Sequence, residues 1–202
     1  MPDARLLRAK RTGQKAWREV SAVFTAAVLT LSDKGSRGER EDLSGKILAD
    51  MLASISGAVE TYAVLPDDRQ LIEETLIYYA DHLGVDVIAT TGGTGVGPRD
   101  VTPDATRAVI DKEIPGMAEA MRLAGLQKTP LAMISRAVVG CRGHTLIINL
   151  PGSPKGVREN LEAILKAIPH AVEKLKGDPA DCAAPESSAV ATEPTIDGGG
   201  GQ

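Results

Sequence analysis

A glycine-rich stretch between an apolar run and a helical pattern is the part of the sequence best suited to chemistry. It reads Thr90-Thr91-Gly92-Gly93-Thr94-Gly95-Val96-Gly97-Pro98-Arg99-Asp100, and Thr102-Pro103 follow shortly after it. Closely spaced glycines let a backbone turn sharply and present several N–H groups to one anion, and the dipole of the following helix adds attraction. We therefore expect a phosphate-bearing ligand here, although the stretch lacks the lysine and the glycine spacing of known phosphate-binding motifs. A tight strand-to-helix turn without a ligand is the alternative.

Three aspartates in polar loops could hold a divalent cation. Asp33, Asp67 and Asp100 each follow a predicted strand. Carboxylates beside phosphate-binding amides favour Mg²⁺, which prefers oxygen ligands. Helix capping is the alternative role for Asp67 and for its neighbour Asp68. Asp100 precedes a better cap, Thr102, by two residues, so a metal-binding or catalytic role is favoured for Asp100.

Basic and hydroxyl side chains in the same loops could contact a substrate. The basic residues that could clamp phosphates are Lys34, Arg37, Arg99 and Lys155, although exposed bases in loops are often only solvated. Ser153, between Gly152 and Pro154, could contact a ligand or simply form a turn. The scattered residues His82, His144 and His170 do not support a metal triad or His–Ser catalysis, and Cys141 is expected to pack inside a strand.

Strands and helices alternate between these loops. Apolar runs predict strands over 24–31, 59–65 and 85–89, and an extended pair over 132–141 and 145–150 around a glycine turn. Helical spacing predicts helices over 43–55, 103–111 and 117–126, another that ends at Gly84, and a last one over 157–175 that Pro169 interrupts. Such alternation implies a mostly parallel sheet covered on both faces. The loops 32–42, 66–68, 91–102 and 151–155 should then converge at one edge of the sheet, where ligands bind in open α/β folds.

Composition predicts one globular domain with two polar extensions. Residues 1–22 form a basic extension, with six basic and two acidic side chains in the first twenty, and residues 177–202 form an acidic, glycine-rich tail with five acidic and no basic ones. We expect the extension to be flexible, with a short helix or a transit peptide as alternatives, and the tail to be disordered. The domain spans 23–176. Scarce aromatic residues argue against nucleic-acid binding, and the short apolar runs argue against a membrane span, so a cytoplasmic protein is expected.

Four loop motifs occur in order along the chain. The central one is Thr91-Gly92-Gly93-Thr94-Gly95 with the run from Pro98 to Thr106, and the others are Leu31-Ser32-Asp33 with Gly38 and Asp42, Leu65-Pro66-Asp67, and Asn149-Leu150-Pro151-Gly152-Ser153-Pro154-Lys155. Together they resemble the molybdopterin adenylyltransferases, bacterial molybdenum-cofactor enzymes related to the G domains of gephyrin and plant Cnx proteins. The resemblance covers about residues 25–176.

The resemblance implies a three-layer α/β/α fold, a homotrimer, and transfer of AMP from Mg-ATP to the terminal phosphate of molybdopterin. Asp67 and Asp100 match aspartates linked to catalysis and Mg²⁺. The residues matched to phosphate or nucleotide binding are Thr91, Gly92, Gly93, Thr94, Gly95, Arg99 and Thr102, and those matched to the pterin are Ser32, Asp33, Gly152, Ser153 and Lys155. The product would pass to a molybdenum insertase. A family member that binds molybdopterin or its precursor without transfer is the main alternative, and a scaffold role as in gephyrin is a weaker one.

Overall fold

A six-stranded sheet organises residues 22–179, the part of the chain that the computed structural model describes. Its strands are β1 (Phe24–Leu31), β2 (Gly57–Leu65), β3 (Val87–Thr91), β4 (Lys112–Glu113), β5 (Val139–Arg142) and β6 (Thr145–Leu150). The strand order is β2-β1-β3-β6-β5-β4. The first four strands in this order are parallel, while β5 and β4 are antiparallel to their neighbours. The predicted mostly parallel sheet is confirmed.

Helices cover both faces of the sheet and complete three layers. They are α1 (Asp33–Ser36), α2 (Leu43–Ser54), α3 (Arg69–Ile77), α4 (Thr102–Val109), α5 (Pro115–Leu126), α6 (Pro154–Ile164) and α7 (Ala167–Leu175). A π-helical turn over Tyr78–Leu83 extends α3, and a 3₁₀ helix spans Pro130–Ile134. Apolar residues of α2, α5, α6 and α7 pack on one face, and those of α3 and α4 pack on the other.

Alternation along β1 shows why the middle of this strand, residues 26–29, is apolar. Ala26 and Val28 face the layer of α2, α5, α6 and α7, whereas Ala27 and Leu29 face the layer of α3 and α4. All four are fully buried. A central parallel strand covered on both faces has no solvent side on which to place polar residues.

The register of the parallel strands brings their carboxyl ends to one edge. Leu31 pairs with Leu65, Thr30 pairs with Thr91, and Thr91 pairs with Leu150. The four loops that follow these strands therefore start side by side. This confirms the predicted convergence of the loops.

Strand β3 begins and ends two residues later than the predicted strand 85–89. Thr90 and Thr91 are strand residues with no exposed surface, not the start of the loop. Burial of these threonines is possible because their hydroxyls donate to carbonyl oxygens, Thr90 Oγ1 to Ile148 at 3.4 Å and Thr91 Oγ1 to Pro151 at 2.7 Å. The polar side chains are thus satisfied inside the sheet.

Three other boundaries also differ from the prediction. The predicted polar loop 32–42 contains the one-turn helix α1, which Ser32 caps by accepting from the N–H of Gly35 at 3.0 Å. Helix α4 begins at Thr102, and this residue does not cap it, because its hydroxyl donates to Gly92 O at 2.9 Å. The predicted extended segment 132–141 begins inside the 3₁₀ helix Pro130–Ile134, and only its end belongs to a strand, Val139–Arg142.

The predicted interruption of the last helix is confirmed, with its break placed before the proline. Helix α6 ends at Ile164, and α7 begins at Ala167. Pro169 lies in the first turn of α7, where its missing N–H costs no hydrogen bond and its ring cannot clash with a continuing helix. One long helix would place the carbonyl of Leu165 against that ring.

The two predicted extensions lie largely outside the described residues. Asp86 joins the first strand of the domain to the end of its last helix. Thr25 donates its N–H to Asp86 Oδ2 at 2.8 Å, and Lys176 Nζ lies 2.7 Å from Asp86 Oδ1. Among residues 22–179 no helix is long and apolar enough to cross a membrane.

Candidate active site

The glycine-rich loop after β3 is fixed at its base by backbone contacts that require glycine. Gly92 and Gly93 have φ of 107° and 62°, which side-chain-bearing residues rarely adopt. A Cβ on Gly92 would lie 2.2 Å from Leu31 O, and one on Gly93 would lie 2.4 Å from Thr102 Oγ1. The N–H of Gly92 donates to Leu150 O at 3.1 Å, and that of Thr102 donates to Gly93 O at 3.2 Å. The loop is therefore held between β1, β6 and α4.

Beyond this base, the loop presents a row of free backbone donors. Within residues 22–179, the N–H groups of Gly93, Thr94, Gly95 and Val96 donate to no protein acceptor. Backbone N–H groups are rarely left without a partner unless water or a ligand accepts from them. Consecutive free amides form a concave site for an anion. We call the segment 93–96 the amide cradle.

Two of the threonines predicted to bind phosphate are buried within the protein. Thr91 and Thr102 have no exposed surface, and each hydroxyl donates to a carbonyl oxygen of a neighbouring loop, of Pro151 and Gly92 respectively. Their side chains support the loops in this structure and do not reach a ligand. Thr94 lies in the amide cradle itself.

An acidic cluster lies on one side of the amide cradle. The N–H of Asp33 donates to Asp67 Oδ2 at 3.0 Å, and the N–H of Asp67 donates to Asp33 Oδ1 at 3.1 Å. Arg99 donates two further hydrogen bonds to the Asp33 carboxylate, from Nη2 to Oδ1 at 2.8 Å and from Nε to Oδ2 at 3.1 Å. These contacts join the loops that follow β1, β2 and β3, as the sequence predicted.

The two carboxylates of this cluster differ in protonation behaviour. The hydrogen bonds from Arg99 and from the Asp67 backbone lower the pKa of Asp33. Burial raises the pKa of Asp67, and the nearby charges of Asp33 and Asp100 add to that rise, which the Asp33 N–H and Arg99 only partly oppose. A cation beside Asp67 would therefore stabilise its ionised form more than it would stabilise a well-solvated carboxylate.

Asp68, not Asp67, caps the helix between these loops. Its side chain accepts from the N–H of Leu71 at 2.9 Å and so caps α3. Asp67 Oδ1 accepts no hydrogen bond from residues 22–179, and Asp100 uses only Oδ2, which accepts from the N–H of Gly97 at 2.8 Å. Each of the two aspartates therefore keeps one free oxygen.

The donor set around Asp67 and Asp100 suits Mg²⁺ only with help from a substrate. Among the described residues no group of three or more His, Cys, Asp or Glu could hold a metal ion. Mg²⁺ commonly binds one or two carboxylates and takes its remaining ligands from water and substrate phosphates. The two aspartates, beside the amide cradle, match that kind of site.

A cleft of about 300 Å³ lies on the other side of the amide cradle. Its walls include Thr94 and Gly95 from the cradle, the apolar side chains of Leu131 and Ile134, and the predicted pterin residues Ser153 and Lys155. Ser153 caps α6 by accepting from the N–H of Gly156 at 3.1 Å. The Lys155 side chain is 80% exposed and 3.9 Å from Glu159, so its ammonium group can reach an anion in the cleft.

The structure separates the predicted pterin residues into two groups. Gly152 contacts the base of the glycine-rich loop, since a Cβ on it would lie 3.2 Å from the Cα of Gly92. Ser32 and Asp33 do not line the cleft but lie beside Asp67. Of the candidate phosphate clamps, Arg37 is paired with Glu39 at 2.7 Å and Lys34 is exposed.

Arg136 is part of the site, and the sequence analysis missed it. It follows the 3₁₀ helix and contacts the glycine-rich loop from behind, with Nε donating to Gly95 O at 2.8 Å and Nη2 donating to Asp100 O. It also forms two bonds to Asp104, at 3.1 and 2.9 Å, and this carboxylate raises the pKa of Arg136 further. Arg136 and Asp104 lie 32 residues apart in the chain, so no local spacing links them.

Comparison with known proteins places this arrangement in a family. Residues 27–170 match the family described as a probable molybdopterin binding domain. A molybdopterin adenylyltransferase of Helicobacter pylori strain J99 is 44% identical over 153 residues, which cover 75% of this chain and 87% of that protein. A gephyrin of Dictyostelium discoideum is 38% identical over 188 residues, or 88% of this chain and 25% of that protein.

A solved structure agrees with these relatives. The crystal structure of the molybdopterin biosynthesis enzyme MoaB from Thermus thermophilus is 52% identical, with a TM-score of 0.73, and the match covers 77% of this chain and 98% of that chain. The residues matched by the family model, 27–170, include the amide cradle, the acidic cluster and the cleft. The chain belongs to the molybdopterin-binding domain family of molybdenum cofactor biosynthesis.

Proposed function

We propose that the chain is a molybdopterin adenylyltransferase that transfers AMP from Mg-ATP to the terminal phosphate of molybdopterin. The observation that carries this proposal is the amide cradle, whose four free N–H groups lie between an acidic cluster and a partly apolar cleft. The cradle suits a polyphosphate, the acidic cluster suits its cation, and the cleft suits a flat organic ring. The similarity to the Helicobacter pylori enzyme supports the same reaction.

The reaction needs charge neutralisation more than proton transfer. A terminal phosphate oxygen of molybdopterin attacks the α-phosphorus of ATP, the bond between the α-phosphorus and the bridging oxygen breaks, and pyrophosphate leaves with that oxygen. The attacking oxygen is already ionised at neutral pH, so a histidine or cysteine base is not required. The site must instead hold two polyanions together and in line. Backbone amides in a fixed loop do this without reorganising.

Asp67 and Asp100 would hold Mg²⁺ through their free oxygens. When bound, the ion would neutralise charge on the phosphate oxygens and on the leaving pyrophosphate. Arg99 keeps Asp33 ionised and bonded to the Asp67 backbone, so the Asp67 carboxylate is held toward the amide cradle. Arg99 is also exposed enough to contact the nucleotide, and its assignment to nucleotide binding stays a prediction.

The cleft would take the pterin. Leu131 and Ile134 offer apolar contacts to a flat ring, while Ser153 and Lys155 lie where its polar edge or phosphate can be bound. Gly152 keeps this loop close to the amide cradle. The assignment of Ser32 and Asp33 to the pterin stays a prediction, and a substrate that spans both sides of the cradle would satisfy it.

Release of pyrophosphate from molybdopterin and Mg-ATP tests the proposal. Asp100→Ala should lower the rate at least ~100-fold, since metal positioning is expected to supply several kcal/mol of transition-state stabilisation. Asp50→Ala, which removes an exposed carboxylate in the second half of α2 that contacts none of the site residues, should leave the rate unchanged. Tight pterin binding by the natural protein without any pyrophosphate release would instead favour the non-catalytic alternative.

A homotrimer is the proposed assembly, and it rests on the family resemblance. Large apolar side chains are exposed on α5 and on the 3₁₀ helix after it, which supports a buried interface there. They are Leu123, Leu126 and Met133, none of which lines the cleft. Light scattering should give three times the chain mass of 21.1 kDa, and a monomer would contradict the assembly. We further propose that the enzyme acts in the cytoplasm, where ATP is available, and passes its product to a molybdenum insertase.

A further inference from the structure

Arg136 holds the glycine-rich loop at several points at once. Its own N–H donates to Thr94 O at 2.9 Å, and its guanidinium donates to the carbonyl oxygens of Gly95 and Asp100. One residue therefore contacts both ends of the segment 94–100. The planar guanidinium can make these bonds together because its donors have fixed directions, which a lysine ammonium lacks.

These contacts determine which way the amide cradle faces. A trans peptide unit is planar, and its C=O and N–H groups point in opposite directions. Because the carbonyls of Thr94 and Gly95 point to Arg136, the N–H groups of Gly95 and Val96 point away from it. Both belong to the free donors of the cradle. Loss of the Arg136 contacts would let these peptide units rotate and bond to water instead.

The positive charge behind the loop also strengthens the donors in front of it. A charge-assisted bond to Gly95 O polarises the peptide unit that carries the Val96 N–H, and hydrogen bonds in such chains reinforce one another. Asp104 fixes the guanidinium from the first turn of α4 with two bonds, at 3.1 and 2.9 Å. The pair Arg136–Asp104 thereby ties the loop to the helix that follows it.

We propose that Arg136 is a positioning residue that keeps the amide cradle turned toward the phosphates of the nucleotide, with Asp104 holding Arg136 in place. Arg136 itself touches no substrate in this role. The proposal rests on the proposed function for the identity of the nucleotide, but the orientation of the cradle can be tested with an inorganic anion alone.

Pyrophosphate binding to the full chain, measured by calorimetry, is the first test. Arg136→Lys should raise the Kd for pyrophosphate at least ~10-fold, because an ammonium group cannot replace the forked set of bonds. Asp104→Asn should raise the Kd for pyrophosphate by a smaller factor, because asparagine keeps the shape of the side chain and Arg136 keeps its bonds to the loop. Arg122→Lys is the matched control: Arg122 Nη1 donates to a backbone carbonyl, that of Ala137, at 3.0 Å, without touching the loop. Its Kd should equal that of the natural protein.

The kinetic test separates positioning from general support of the fold. Arg136→Lys should raise the KM for ATP at least ~10-fold and the KM for molybdopterin much less, because the phosphates depend on the cradle amides while Ser153 and Lys155 of the cleft keep their places. A merely structural role would change both constants equally or neither. Amide resonances of Gly95 and Val96 should shift when pyrophosphate is added to the natural protein and shift less in Arg136→Lys.

The outcomes distinguish this inference from the proposed function. AMP transfer with equal pyrophosphate affinity in the natural protein and Arg136→Lys would overturn the role of Arg136 and leave the enzyme assignment intact. Pyrophosphate binding that Arg136→Lys weakens, in a protein that transfers no AMP, would support the role and overturn the assignment. A natural protein whose cradle amides do not respond to pyrophosphate would overturn the role of Arg136, and the pyrophosphate-release assay would then decide the enzyme assignment separately.

Discussion

Asp33 and Asp67 each accept a hydrogen bond from the other's backbone N–H, at 3.1 and 3.0 Å. The exchange joins the loops after β1 and β2 without using the side chain of any third residue. It holds two negative groups close together, and only Asp33 is neutralised by Arg99. The pKa of Asp33 is lowered as a result, while burial raises that of Asp67. The structure thus retains an uncompensated carboxylate beside the amide cradle.

Asp67→Asn should stabilise the folded protein and reduce its rate of AMP transfer. A carboxyl group with a raised folded-state pKa is harder to ionise in the fold than in the unfolded chain, so at neutral pH its charge reduces stability. An asparagine can still accept from the Asp33 N–H and carries no charge. We expect thermal denaturation at pH 7 to show a midpoint higher by about 1–3 °C, together with a loss of AMP transfer of about 100-fold.

Asp33→Asn is the matched control for this effect, with the opposite sign. The pKa of Asp33 is lowered by Arg99, so its charge favours the folded state and its removal should lower the denaturation midpoint. Equal shifts in the same direction for both variants would contradict the electrostatic difference between the two aspartates.

Gly95→Ala tests whether the loop must approach Asp100 closely. A Cβ at this position would lie 2.7 Å from Asp100 Oδ2 and would push the carboxylate aside. We expect AMP transfer to fall about 10- to 100-fold, with little change in the urea midpoint. Gly116→Ala in α5 is the control, since a Cβ at this position would have no neighbouring atom within 4 Å. It should leave activity unchanged and raise the free energy of unfolding by about 0.4–1 kcal/mol. Full AMP-transfer activity in Gly95→Ala would show that the close approach of the loop to Asp100 is not required.

Asn149 should be essential to the core beneath the site. Its buried amide donates to Thr90 Oγ1 at 3.1 Å and Thr106 Oγ1 at 2.9 Å, and its Oδ1 accepts from the N–H of Val138 at 3.3 Å. Asn149→Ala should therefore lower the free energy of unfolding in urea by about 2–4 kcal/mol, from lost bonds and the cavity left behind. Asn160→Ala, which removes a single bond to Gly156 O at 2.9 Å, should cost about 1 kcal/mol. Similar losses for the two variants would mean that the three bonds of Asn149 stabilise the fold no more than the single bond of Asn160 does.

Asp86 should contribute stability that acid removes. Burial alone would raise its pKa, but the bonds from Lys176 and Thr25 outweigh that effect and lower it. For a carboxyl group with a lowered folded-state pKa, the stabilisation is complete above the unfolded value of about 3.9 and is lost as the pH falls through the folded value. The stability difference between the natural protein and Asp86→Asn should be constant from pH 7 to about 5. It should shrink at lower pH, and a difference that does not change with pH would exclude this linkage.

The sequence predicted features that depend on local pattern and on strand direction. The limits of β1 follow from its continuous run of apolar and β-branched residues, and the convergence of four loops follows from parallel strands alone. The two-residue error in β3 arose because Thr90 and Thr91 look like loop residues until their carbonyl partners on β6 and in the next loop are known. The one-turn helix α1 is too short to leave a periodic pattern.

Within the candidate site, the sequence could point to residue types but not to their partners. It left Asp67 and Asp68 as alternative caps, and only the contact of Asp68 with Leu71 decides between them. It missed Arg136 because the role of this side chain exists only once the chain has brought the segment before β5 beside the glycine-rich loop. The sequence also could not show which backbone N–H groups of the loop lack a hydrogen-bond acceptor, because that depends on how the loop folds.

The bond of Asp86 to Thr25 and Lys176 has an architectural consequence. It places the first strand's beginning and the last helix's end together, at the edge of the sheet opposite the four loops. A second domain could be joined at either point without blocking access to the cleft. Attachment at either end would leave the cleft open, and in the gephyrin of Dictyostelium discoideum the matched region is 25% of a longer chain.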